Sequence, residues 1–195
     1  MNVALELKAP TLLVAMPQIS DPFFQRSVVL LVAHENEGSL GFVVNRRTDT
    51  PIREILDGMS LIWHGDPEVR AHFGGPVQPE LGSVLYDPAE VGHLALDRAG
   101  EIVPGVAITQ HAADLAKLAE GPPTSLRLVL GYAGWSAGQL VDELERHDWI
   151  VAPADPELIF GEDALVTWRQ ALASVGIDAA TLPQWTVGGS SSVAN

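Results

Sequence analysis

The sequence predicts an α+β domain built on a mixed, largely antiparallel sheet, and three observations lead there. Segments with strand and helix patterning are interspersed without a regular βαβ period, so a doubly wound parallel sheet is disfavoured. An apolar hairpin sits early in the chain. The 195 residues, 47% of them apolar, offer one sizeable core, and no Pro-, Gly- or Ser-rich linker divides them into two.

Thr11 to Met16 is a short apolar strand. Asp21-Pro22 sets an N-cap residue before a proline at N1, which starts one helical turn through Phe23 and Phe24. Ser27 to Ala33 is β-branched and apolar on both faces, as a central strand requires, and His34 to Gly38 turn it into a second run, Leu40 to Val44. Thr50 before Pro51 repeats the cap arrangement and opens a helix that Gly58 ends. Shorter strands follow near Gln78, over Ser83 to Tyr86 and over Leu94 to Leu96. Thr109 caps a helix through Ala119, which Gly121-Pro122-Pro123 stops. Leu126, Leu128 and Leu130 then alternate with Ser125, Arg127 and Val129 in a strand that feeds GYAGWSAGQ, Gly131 to Gln139, read as a strand-to-helix turn. Ser136 and Gln139 have capping-box spacing, and Leu140, Val141 and Leu144 recur at helical intervals to about His147. Trp149 to Ala152 is a brief strand, Asp155-Pro156 a third cap, and Gly161 to Val175 the last helix. One domain is expected over residues 1–186, with a loose Gly/Ser-rich tail over 187–195.

Charge narrows the function classes. Eleven basic against 25 acidic side chains leave a net charge of -14. Only Arg46 and Arg47 are adjacent, and duplex binding draws most of its affinity from lysine and arginine on phosphates, so direct nucleic-acid binding is disfavoured. Anionic membrane surfaces are disfavoured for the same reason. The absence of cysteine fits a reducing compartment. The longest apolar run, Val28 to Ala33, falls far short of the ~18 residues a membrane span needs, and no basic segment leads into a signal-like apolar core. A cytoplasmic location is expected.

Three blocks carry a family resemblance: MPQISDPFFQRSVVLLVAHENEGSLGFVVN at Met16 to Asn45, GGPV at Gly74 to Val77 and GYAGWSAGQL at Gly131 to Leu140, with WIVAPADPELIF at Trp149 to Phe160 beside them. In this order they resemble the bacterial AlgH/YqgE family across nearly the whole chain. The resemblance implies a branched, partly barrel-like sheet flanked by helices. It brings no cofactor, metal or catalytic residue to positions of this chain, and some relatives carry a transcriptional-regulator label on genetic grounds.

Gly134, Ser136 and Gly138 also spell G-x-S-x-G, the pattern of a hydrolase nucleophile elbow, so a serine-dependent hydrolase using Ser136 is the alternative reading. That fold places acid and histidine after the serine, and the only later histidine, His147, lies on the helix that Ser136 would open. An upstream base such as His34, His64, His72, His93 or His111 would need another triad order. If Ser136 instead caps that helix, Ser136→Ala should cost ~1 kcal/mol and Ser136→Asp almost nothing. The six histidines lack metal-ligand spacing. Gly74-Gly75-Pro76 lacks the lysine of a phosphate loop and suits close approach of two backbones. Asp21 is most simply a cap, Asn45 a turn former, and Tyr132 and Trp135 edge aromatics. All four, with Gly74, Gly75, Ser136 and Gln139, are the candidate ligand-binding residues. The leading expectation is a cytosolic, non-catalytic protein without a cofactor, binding a small ligand or a protein partner and affecting transcription only indirectly.

Overall fold

A computed structural model of the chain describes residues 7–96 and 100–183. The tail expected at 187–195 lies outside the described residues. In order the chain forms β1 (Thr11–Ala15), β2 (Val28–Glu35), β3 (Gly38–Val43), β4 (Arg47–Pro51), α1 (Ile52–Gly58), β5 (Arg70–Phe73), β6 (Val77–Tyr86), β7 (Gly100–Val103), β8 (Val106–Thr109), α2 (Ala112–Glu120), β9 (Leu126–Ser136), α3 (Gln139–Glu145), β10 (Trp149–Ala152), α4 (Pro156–Ile159) and α5 (Ala164–Ala173). The strands run β10-β1-β2-β3-β9-β6-β8-β7 in one sheet, each antiparallel to its neighbour. A branch carries β4 and β5, and β5 lies parallel to β9. The sheet curls into a half-barrel flanked by helices, which is the α+β class the sequence predicts.

Both faces of the sheet are covered, which is why β2 is apolar from Val28 to Ala33. Val28 and Leu30 pack with Trp168 and Leu172 of α5, while Val29 and Leu31 pack with Trp135, Leu140 and Trp149. A third cluster joins Leu56 of α1 and Leu118 of α2 to Tyr86 and Leu128. Each such side chain removed from water contributes about 1.5–3 kcal/mol.

The branch is made by glycine. The Gly74 N–H donates to the Leu130 carbonyl at 2.7 Å while its own carbonyl accepts from the Val43 N–H at 2.8 Å, so the segment after β5 wedges between β3 and β9. A Cβ on Gly74 would strike the Gly131 carbonyl, and one on Gly75 the Tyr132 backbone. The close approach expected of Gly74 and Gly75 is their role.

Several expectations need correction. The helix before Gly58 begins at Ile52 with Pro51 at its N-cap, because Thr50 and Pro51 already belong to β4. Leu94 to Leu96 form no strand. Thr109 sits below its helix, which starts at Ala112; its Oγ1 accepts from the His111 N–H at 3.2 Å and donates to Asp114 at 2.9 Å. The last helix is confined to Ala164–Ala173, capped by Asp163. The largest correction concerns Gly131 to Gln139. β9 runs straight through to Ser136, because backbone pairing with Gly38 to Gly41 continues opposite Ala133 to Ser136 and overrides the glycines. Asp21 and Asp155 do cap their turns, accepting from the N–H groups of Phe23 and Glu157 at 2.8 and 2.9 Å.

Candidate functional site

The end of β9 collects aromatic rings because residues alternate across a strand: Trp135 and Ala133 face one core, Tyr132 the other. Trp135 meets Trp149 of β10 edge to face, with centroids 5.9 Å apart. Helix α3 starts one short turn later behind Gly138, whose φ of 77° makes it the N-cap without any side-chain cap. Ser136 therefore does not cap this helix. Half of a capping box survives: Gln139 Oε1 accepts from both the N–H and the Oγ–H of Ser136, each at 3.1 Å. The Gln139 amide in turn donates to Glu143 Oε1 at 2.9 Å.

Two cavities meet at this strand end. One of about 210 Å³ is walled by Asp21, Phe24, Trp135, Gln139, Glu143 and Trp149 among others, and the second, about 500 Å³, by Glu37, Ser39, Tyr132 and Trp135 among others. Asp21, Tyr132, Trp135 and Gln139 are thus brought to one region, and Ser136 sits between them at the strand end. Asn45 is not among them. It is 5% exposed, and its side chain accepts from the Val28 N–H at 2.8 Å and donates to the carbonyls of Arg26 and Ala164, which ties β2 to α5. Gly74 and Gly75 serve the sheet branch.

The nucleophile reading finds no constellation here. The Ser136 hydroxyl is committed to Gln139, and His147 lies beyond the end of α3, in a left-handed conformation with φ 59°. A serine–histidine pair does exist elsewhere: His34 Nδ1 lies 2.7 Å from Ser39 Oγ across the β2–β3 hairpin. No third group orients that imidazole among the described residues, so it is a cross-strand hydrogen bond. Among the described residues no group of three His, Asp or Glu side chains could hold a metal ion.

A third cavity, about 330 Å³, contains functional candidates that sequence reasoning missed. Arg47 of β4 is in register with His72 of β5, and His72 with Val129 of β9, two residues from Arg127. Three adjacent strands thus point basic side chains to one face. His72 and Arg127 are 6% and 5% exposed. The His72 Nδ1 is buried without a hydrogen-bond partner, and burial, aided by Arg127 and Arg47, lowers its pKa to about 3. Burial also lowers Arg127, to about 10. The Arg127 guanidinium donates to the carbonyls of Val44 and Gly161, and Arg47 pairs with the exposed Glu162. Nothing in the sequence order could reveal this, because the four residues lie on four separate segments. A cavity of about 890 Å³ beside α5 includes none of the candidate residues, and among the described residues its lining holds no unsatisfied buried polar atom.

Residues 12–180 match the AlgH-like family. The chain belongs to that family. It is 37% identical to a UPF0301 protein of Myxococcus xanthus over 89% of this chain and 94% of that one, and 40% identical to a UPF0301 protein of Cupriavidus metallidurans over 87% and 89%. Among solved structures, the AlgH protein from Pseudomonas aeruginosa is 30% identical with a TM-score of 0.71, covering 94% of this chain and 99% of that one. A protein from Corynebacterium diphtheriae, 23% identical with a TM-score of 0.69 over 86% of each chain, shares the fold. The curled, branched sheet is therefore the family's architecture, and the names of these relatives state no reaction. No helix among the described residues is long and apolar enough to cross a membrane.

Proposed function

We propose that this AlgH-like chain is a cytoplasmic, non-catalytic binding protein that takes a small ligand or a protein segment at the end of β9, with any effect on transcription being indirect. The supporting observation is the pair of cavities that share Trp135 and Gly134, walled by aromatic rings and hydrogen-bonding side chains but carrying no nucleophile–base pair at Ser136. Apolar walls with a few convergent polar groups are the ordinary make-up of a ligand site. The net charge of -14 supports binding something other than nucleic acid.

A thermal-shift screen of metabolites on the wild type and on Tyr132→Ala tests this reading, with fluorophosphonate labelling alongside. The expected result is a compound that stabilises the wild type, loses that effect in Tyr132→Ala and leaves Ser136 unlabelled. Stoichiometric modification of Ser136 would return the hydrolase alternative to first place.

A further inference from the structure

We propose that the cavity between β4, β5 and β9 is a binding site for the oxyanion group, phosphoryl or carboxylate, of a small molecule, with Arg47, His72 and Arg127 as its floor. In a chain with 11 basic residues and a net charge of -14, Arg47 stands opposite His72, and Arg127 lies two residues along β9 from Val129, the other register partner of His72. The His72 ring is neutral, but the charges of Arg47 and Arg127 oppose one another, and a buried guanidinium is costly without a partner anion. Arg127 has no carboxylate in hydrogen-bonding contact among the described residues; its two bonds go to backbone carbonyls, which leaves guanidinium donors unused. His72 lines the same cavity, and its Nδ1 is buried without a partner, which is unusual since buried polar atoms in folded proteins are ordinarily bonded.

The acidic residues around the cavity do not fill it. Asp66 accepts from the Glu68 N–H at 2.9 Å and so serves its own turn, and Arg70 is engaged with the Asp49 carbonyl. Glu68 also lines the cavity, and Glu162 pairs with Arg47 and favours the charge of Arg127 without bonding to it; the Glu162 side chain is 85% exposed. An exposed carboxylate on a loop is a weak, displaceable partner. Its single contact, Arg47 Nη2 to Glu162 Oε2, marks where an oxygen of an incoming anion would sit, with Glu162 released to solvent. The volume, about 330 Å³, admits a small metabolite but no polymer. Because this site lies apart from the Trp135 cavities, it stands or falls independently of the function proposed above.

Calorimetric titration at constant ionic strength, with inorganic phosphate in one arm and malonate in the other, tests the proposal on the wild type, Arg47→Gln and Glu162→Gln. Both substitutions are at exposed side chains, so the fold should persist in each. The expected result is saturable binding of at least one anion with a Kd of about 1 mM or tighter, weakened about tenfold in Arg47→Gln and strengthened several-fold in Glu162→Gln, where the competing carboxylate is gone. A preference for phosphate assigns a phosphorylated ligand, and a preference for malonate a carboxylated one. Absence of binding to both the wild type and Glu162→Gln, or equal affinity in the wild type and Arg47→Gln, would overturn it.

Discussion

Trp135 and Trp149 direct their Nε1 hydrogens to the same atom, Oε2 of Glu143, at 2.8 and 2.7 Å. The two rings are 6% and 3% exposed, so each indole N–H would lose its partner in a nearly dry setting if that oxygen were removed. One carboxylate on α3 therefore fixes the mutual angle of two core tryptophans from different strands.

Glu143→Leu should cost about 2–4 kcal/mol, since it leaves two buried donors unsatisfied, whereas Glu143→Gln keeps one acceptor oxygen and should cost about 1 kcal/mol. Urea unfolding followed by tryptophan fluorescence measures both. Parent-like stability in Glu143→Leu would mean that the carboxylate is not what holds the rings.

The revised helix start makes a second, opposite pair of expectations. Because Gly138, not Ser136, is the N-cap and adopts φ 77°, Gly138→Ala should lose about 1 kcal/mol while Ser136→Ala stays within about 0.5 kcal/mol of the parent. Calorimetry on the two variants decides. A larger loss at Ser136 than at Gly138 would restore the serine cap.

What the sequence made legible follows from where local and tertiary forces agree. Asp21 and Asp155 act through their own next two residues, so their caps could be read directly. The apolar run of β2 declared its burial on both faces. β4, with the sequence RTDTP, has almost no apolar signal because it is a half-exposed branch strand, and it was missed. Gly131 and Gly134 suggested a turn, yet Gly131 lies in β9 because its missing side chain lets the Gly75 carbonyl approach. At the candidate site, Trp135 and Gln139 were found by proximity in sequence. The grouping of Arg47, His72 and Arg127 was not, since strand register between distant segments is set by the whole sheet.

His72 carries a pH signature. Its folded pKa, lowered from 6.5 to about 3, means that below about pH 6.5 the unfolded chain takes up a proton that the folded chain refuses. The stability contributed by the neutral ring is full above that pH and is lost as pH falls toward about 3, at about 1.4 kcal/mol per pH unit. His72→Leu should therefore lose about 2 kcal/mol less than the wild type between about pH 6.5 and 5. Urea titrations in phosphate-free buffers measure the difference, and equal losses in the two proteins would show that the ring titrates normally.

The pairing of β1 with β10 has a consequence for biosynthesis. Thr11 donates its hydroxyl hydrogen to the Ala152 carbonyl across 141 residues of chain, so one side of the first strand waits for nearly the last one. At typical elongation rates that wait is on the order of ten seconds, during which β1 can pair with β2 but presents an open edge that is apolar from Leu12 to Ala15. A nascent chain stalled before Trp149 would expose that edge to other chains, which makes the interval between residues 15 and 149 the period in which a holding chaperone has most to protect.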